Sequence, residues 1–396
     1  MTDTALPVLE ADLFGDEAIS DPYPVYRRMR DLGPVVLLAR QDLPAVGRYD
    51  DVRAVLADHD TFVSGRGVLW NDVANTMTRG TTLASDPPEH TELRRLVASR
   101  LTPRALRDER PRVEGIAAAI VDRVLARGGV IDGVTELAHA MPSAVVPDFL
   151  GFPDDCRPHL LTWARGAIEA GGPLTARTAA AVPIAEHLGR YAESLVTGRR
   201  ALPGSLGAGL VEAADRGEVA HERCTALMLD YFGPSMETTL TAIGNAVALF
   251  ATHPDQWQLL RDDPSLMTKA FNEVVRLETP LRAFTRVAAR DTSIHGTVVA
   301  KGTRVAVFFA SANRDERKWT DPDRFDVTRD NADHLGLGYG EHGCAGQGLA
   351  RLEFAALFTR LAQRVQRIEP AGGFVRTASS LLRSYATLPI RLIRST

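Results

Sequence analysis

His334–Glu353 reads HLGLGYGEHGCAGQGLARLE, six glycines around one cysteine, Cys344, with a run rich in Ala and Leu directly behind it. Glycines let a backbone approach a large planar ligand closely. A cysteine at a helix N-terminus has its thiolate favoured by the helix dipole and by free N–H groups. Taken alone, the stretch also fits a buried structural cysteine beside a flexible loop. A zinc site built on His342 and Cys344 is a further alternative, although no second Cys or His pair stands at ligand spacing.

Outward from this loop the chain is mostly helical. Amphipathic or apolar helical patterns run from His90 to about Thr279, and another, LARLEFAALFTRLAQRV, follows the cysteine. Short strand-like runs (PVVLLA, LPAVGRY, and TSIHGTVVAKGTRVAVFFA after Pro280) lie near the two ends, and a Gly- and Thr-rich loop covers about Ser64 to Ser85. No repeat or linker divides the 396 residues. The net charge of −4 leaves no footprint for nucleic acid or an anionic membrane surface. Three scattered cysteines, Cys156, Cys224 and Cys344, argue for a reducing compartment. The acidic N-terminal stretch lacks the basic start and apolar centre of a leader, and no apolar run reaches membrane-spanning length. The expectation is a cytoplasmic protein that works without a membrane.

Two charged pairs need a context. Glu273 and Arg276 share a helix face at i, i+3, and His90 and Arg94 share one at i, i+4. Each alone fits an exposed, solvated face as well as a site.

The Cys344 loop resembles the haem-binding loop of cytochromes P450, Phe-x-x-Gly-x-x-x-Cys-x-Gly, whose cysteine gives an axial thiolate to haem iron. Gly340, Cys344 and Gly346 match, as do His342 and the Leu-Ala-Arg-x-Glu at 349 to 353. Leu337 replaces the Phe, keeping apolar cover over the sulfur without an aromatic ring. Glu273 and Arg276 match the family's Glu-x-x-Arg, and Pro322-Asp323-Arg324-Phe325 matches its Pro-x-Arg-Phe. The resemblance runs in order along the chain, from DPYPVYRRMR through SANRDERKWTDPDRFD to the Cys loop.

It implies a mainly α fold of cytochrome P450 type, one large helical unit over residues 1–396 with a minor strand-rich part. It implies haem b with Cys344 as metal ligand and Gly346 in contact with the cofactor. His90, Arg94, Arg286 and His342 would meet the two haem propionates, and Glu273, Arg276 and Arg324 would form a buried network that locks the Cys loop. No reductase or flavin motif is present, so electrons would come from a ferredoxin and its ferredoxin reductase.

LDYFGPSMETTLT, Leu229–Thr241, interrupts a long apolar helical pattern. Glu237 and Thr238 match the family's acid–alcohol pair, which implies a proton relay by Glu237 and a hydrogen bond from Thr238 during oxygen activation. The two small residues usual before them are replaced by Pro234 and Ser235. Proline lacks an N–H and leaves the Asp230 carbonyl unpaired, at about 3 kcal/mol. Gly233 eases the restriction on the residue before proline, and Thr238 can bond the Pro234 carbonyl. The expectation is a widened groove; a packing kink or a break between two helices is the alternative.

Arg66, Phe232, Ser235, Leu281, Phe284 and Leu382 are expected to line the substrate pocket, with Arg66 a candidate carboxylate anchor and Asp230 an argument against an anionic substrate. FVSGRGV, LASDPPEHT and FFASANRDERKW look most like bacterial members that oxidise small aromatic acids and ethers. The resemblance therefore implies a monooxygenase that hydroxylates or O-dealkylates a small aromatic molecule. The alternative is tailoring of a polyketide, terpenoid or peptide product. A peroxide-driven enzyme and a non-catalytic haem sensor fit the acid–alcohol pair less well.

Overall fold

The apolar pattern around Gly233-Pro234 folds as one 32-residue helix, His221–Thr252, about 48 Å long. A computed structural model describes residues 6 to 395; residues 1 to 5 of the acidic N-terminal stretch and Thr396 lie outside it. Nearly every turn of the central helix from Cys224 to Ala251 is buried, as expected of a helix apolar on all sides. Pro234 sits inside without ending it. The alternative of a break between two helices is thus excluded, because burial of most of the helix on either side of Pro234 holds it through the lost hydrogen bond. Gly233 also has a different reason from the one its sequence offers. A Cβ there would stand 3.2 Å from the Ala167 Cβ of helix Leu160–Glu169, so the glycine lets that helix approach.

Beneath the central helix lie Met267–Leu277 and Gln347–Arg364, which share one apolar core with it. Phe354 and Phe358 stack at 4.3 Å within that core, and Phe271 meets Phe354 edge-on. The sequence pattern carries the last helix to Val365, but the helix ends at Arg364 and Val365 opens a strand. That strand, Val365–Pro370, pairs with Pro389–Arg394, which pairs in turn with Val130–Asp132.

The runs 36–38 and 43–46 form strands of a six-stranded mixed sheet, with Arg304–Val307 and Phe284–Ala288 beside them. Alternation along Phe284–Ala288 puts Phe284 and Arg286 on one face and Thr285 on the other. Thr285 Oγ1 donates to the carbonyls of Gly67 and Leu69 at 2.8 and 3.1 Å, which fixes the strand against the 64–85 loop. That loop contains a short helix, Asp72–Met77, and is tied to the end of helix Leu160–Glu169. Asn71 Nδ2 donates to the carbonyls of Ala170 and Gly172 at 2.9 and 2.7 Å, and Trp70 N–H donates to Gly171 O.

The Cys loop is pressed onto Met267–Leu277. At Gly336 a Cβ would lie 2.6 Å from Val275 Cγ1 and 2.9 Å from the Val275 carbonyl oxygen. Gly336→Ala must therefore displace the loop or the helix. The expected cost is about 1–3 kcal/mol, read as a lower melting temperature and weaker haem retention; unchanged melting and retention would refute the close-approach argument.

Candidate active site

Between the central helix and the Cys loop lies a cavity that encloses about 1350 Å³ of atom-free space, counting its open mouth. Two neighbouring rows of the central helix form one wall: Asp230, Pro234, Thr238 and Ala242 at four-residue spacing, with Tyr231, Ser235 and Thr239 beside them. Cys344, Ala345 and Gly346 form the facing wall, and Leu281, Phe284 and Phe309 close the side.

The Cys344 loop is shaped by its own backbone. Cys344 N–H donates to Leu337 O at 2.8 Å, and Gly343 N–H to Gly340 O at 3.0 Å. Gly340 has φ +70, and a Cβ on it would stand 2.9 Å from the Leu56 carbonyl oxygen, so two separate constraints favour glycine there. Gly346 caps the helix Gln347–Arg364. Burial pushes the Cys344 thiol up, and the N–H groups of Gly346 and Gln347 with Arg94 and Arg351 act against that. Those donors suit a thiolate ligand.

The polar edge brings together all four cations and imidazoles expected there. Arg94, Arg286 and His342 line the cavity, and His90 stands behind His342 with ring centroids 4.4 Å apart. His90 Nδ1 meets Glu341 Oε1 at 3.0 Å, Arg94 donates to Gly343 O, and Arg286 donates to Thr285 O at 2.8 Å. The Nε2 atoms of both histidines are buried without a partner. Burial brings the Arg286 pKa down to about 10, and burial with Arg286 nearby brings His342 to about 3. The desolvated Arg286 guanidinium, Arg94 and the unpartnered Nε2 of His342 at one edge are the complement of a buried anion pair. The residues therefore fit haem b: Arg94, Arg286, His342 and His90 would hold its propionates, and Cys344 would supply the thiolate to its iron.

The locking network forms with one change of member. Arg276 grips Glu273 through two bonds of 2.8 Å, and both side chains are fully buried. Arg276 also donates to the carbonyls of Asn313, Pro322 and Arg324. Arg324 itself turns outward, with its side chain 64% exposed and only Asp326 nearby. The third partner is Arg329, whose Nε lies 3.1 Å from Glu273 Oε1. Asn313 passes the order on, because its Oδ1 accepts from Leu335 N–H at 2.7 Å where the Cys loop begins.

On the central helix, Thr238 faces the cavity and its Oγ1 donates to the Pro234 carbonyl at 2.7 Å. Glu237, one residue and about 100° away, is buried and does not line the cavity. Both its carboxyl oxygens lack partners, and burial pushes its pKa up to about 7 against the pull of Arg165.

Of the expected pocket residues, Ser235, Leu281 and Phe284 line the cavity. Phe232 does not: it stacks on Phe152 at 4.7 Å, on another face of the helix. Leu382 stands behind the wall and pairs through its backbone with Leu281. Arg66 is exposed on the loop and offers no carboxylate anchor inside. Thr82, Tyr231 and Glu353 also line the cavity, and of these sequence reasoning gave Glu353 no place there. Burial pushes Glu353 to about 8, and neither of its oxygens has a partner.

The family model for Cytochrome P450 matches residues 206–369. Cytochrome p450 CYP199A2 of Rhodopseudomonas palustris is 38% identical over 98% of this chain and 95% of its own length. The monooxygenase PikC of Streptomyces venezuelae is 33% identical over 98% and 95%. Among solved structures, CYP268A2 of Mycobacterium marinum in complex with pseudoionone aligns with a TM-score of 0.87 at 28% identity, over 98% of this chain and 100% of that one. The chain belongs to the cytochrome P450 family. It is an oxidoreductase of the P450 monooxygenase class, and its cofactor is haem b.

Two outcomes follow from this geometry. Arg329→Ala strands part of the Glu273 charge in the core and should cost about 2–4 kcal/mol with poorer haem loading, whereas Arg324→Ala should stay within about 0.5 kcal/mol of the parent. Equal effects in denaturant melts would reverse the assignment. For Glu237, only the unfolded chain ionises between the usual 4.5 and about 7. Stability from this group is thus complete at low pH, falls as pH rises through that window and levels off above it. Glu237→Gln should gain on the parent from pH 4.5 to pH 8 by up to about 3 kcal/mol; a gap independent of pH would show that the carboxyl is not sealed from water.

Proposed function

We propose that this P450 hydroxylates or O-dealkylates a small aromatic molecule in the cytoplasm, with electrons from a ferredoxin and ferredoxin reductase. The observation that carries this reading is the cavity beside Cys344 and Thr238, closed on one side by Leu281, Phe284 and Phe309. Apolar walls with a few polar groups suit a compact, largely apolar guest. The ties from Asn71 and Trp70 to residues 170–172 hold the loop down and limit the guest's size. The free state of Cys156, Cys224 and Cys344 supports a reducing compartment. No helix among the described residues is long and apolar enough to cross a membrane.

Haem, when bound, supplies the activation of dioxygen and the insertion of one oxygen atom. The chain's own residues orient the guest and manage protons. Phe284 and Leu281 present flat apolar contact to a ring. Thr238 Oγ1 holds its proton on the Pro234 carbonyl and keeps its lone pairs free for a cavity donor. Burial holds the pKa of the Glu237 carboxyl at about 7, so it exchanges a proton around neutral pH, one helix step from that hydroxyl. The single change Thr238→Ala removes the hydroxyl and leaves the apolar walls intact.

The test is a titration of the haem spin state with substituted benzenes, followed by product analysis with reduced ferredoxin. Binding by single-ring ethers and their hydroxylation or dealkylation are expected, and a response only to multi-ring or macrocyclic compounds would overturn the reading. Thr238→Ala should bind the same compound within about threefold, yet divert most of the NAD(P)H consumed into peroxide, because it loses an interaction used in turnover rather than in binding. Full coupling in that variant would remove Thr238 from proton management.

A further inference from the structure

We infer that the carboxyl of Asp230, with Thr82 and Tyr231 beside it, is the polar recognition point for the substrate, and that it selects an aromatic ring bearing an O–H or N–H donor against one bearing a carboxylate. This rests on the small-aromatic reading above and goes beyond it by naming the head group.

Asp230 lies on the cavity row that continues through Pro234 and Thr238. It is eight residues before Thr238, or about 12 Å along the helix axis. A guest held at Asp230 by one end therefore points its other end along the row toward Thr238 and the Cys344 wall. The cavity around that row also offers Ser235 and Pro234 from the helix and Phe284 and Leu281 from the side wall.

The chemistry of the carboxyl limits what that end can be. Asp230 Oδ2 accepts from the Thr82 backbone N–H at 2.8 Å and from Thr82 Oγ1, and the Leu83 N–H also serves the carboxyl. An ionised carboxylate has about four lone-pair sites, so beyond these three donors about one acceptor site remains for a guest in the cavity that Asp230 lines. Tyr231 OH lies 3.5 Å from Thr82 Oγ1 and extends the same polar patch. No Lys or Arg side chain among the described residues forms a salt bridge with Asp230. Arg94 acts on it electrostatically, but its guanidinium is bonded to Gly343 O. Burial raises Asp230 to about 6, which marks a charge short of compensation. A phenolic O–H or an aromatic amine supplies the missing donor. A benzoate brings a second negative charge, and Arg66, which faces solvent, does not offset it.

A merely structural carboxyl, one that pins the Thr82 loop to the helix, is the competing explanation. It makes no distinction among ligands of one shape. The experiment compares 4-methoxyphenol, 4-methoxyaniline, 4-methylanisole and 4-methoxybenzoate by spin-state titration and calorimetry on the haem-loaded protein, in the parent and in Asp230→Asn. We expect the phenol or the amine to bind the parent at least tenfold more tightly than 4-methylanisole, and the benzoate to bind weakest. Asp230→Asn, which keeps the shape and an acceptor for Thr82, should cut that preference to threefold or less and leave 4-methylanisole unchanged. Whichever donor ligand shows the larger preference identifies the head group as hydroxyl or amine. A parent that binds all four without preference overturns the proposal, as does a variant that weakens all four equally. If no single-ring compound binds while larger compounds do, the small-aromatic reading has failed and this proposal falls with it.

Discussion

The bidentate pairing of Arg276 with Glu273 is the contact on which the geometry beneath the cavity depends. Both groups are fully buried, where an unpaired charge would cost several kcal/mol. They are tolerated because the guanidinium also finds three backbone carbonyls and the carboxylate also finds Arg329, the Asp326 N–H and Asn331. Every one of those extra partners belongs to the irregular segment 313–331. A segment without regular structure is thus held by a charge pair on a helix, and Asn313 hands the constraint to Leu335 at the start of the Cys loop. Position at Cys344 is inherited from a network that does not touch the cavity.

The opposite edge works by the reverse logic. Arg286 has Thr285 O as its one hydrogen-bond partner among the described residues, and the buried Nε2 of His342 has none. In the absence of an anion this edge is a cost to folding; haem propionates held here would turn the same groups into charge-assisted hydrogen bonds. Cofactor binding and stability are therefore linked, since a ligand that binds only the folded chain stabilises it by mass action. The incomplete satisfaction of this edge contrasts with the completeness of the Glu273 cluster, and it separates a place built to receive something from a place built to hold itself.

Much of this was legible in the sequence, and the failures have physical causes. The Cys loop, the Glu273–Arg276 pair and the meeting of His90, Arg94, Arg286 and His342 at one edge could be expected because each residue sits in a short motif that resembles the family's; spacing alone left every one of them open to a bland reading. Arg329 could not, because whether Arg324 or Arg329 turns inward depends on the path of a loop with no period to read. Phe232 illustrates a different limit. The helical period tells which residues share a face, but not which neighbour each face meets, and at about 100° per residue a shift of one position exchanges cavity for core. Gly233 was open to the same error, since its contact with Ala167 brings together residues 66 apart in sequence. The strand pairing of Pro389–Arg394 with Val130–Asp132 is more distant still, and no local pattern records it.

The Gly-Pro pair in the central helix also bears on how Thr238 can act. Its hydroxyl bonds the Pro234 carbonyl, which in a continuous helix is already the acceptor for the Thr238 N–H. Releasing the hydroxyl toward the cavity therefore leaves that carbonyl paired. The change forfeits one side-chain bond, on the order of 1 kcal/mol, and strands nothing. The Asp230 carbonyl is the group that proline deprives of its helical N–H partner, one turn further along the same face. A hydroxyl that is inexpensive to redirect and a backbone carbonyl lacking its helical N–H thus stand one turn either side of Pro234, both on the row that lines the cavity. An alanine at 234 would pair the carbonyl and remove the second of these without touching the first, so the cost of the proline and the freedom of the Thr238 hydroxyl are separate properties of one row.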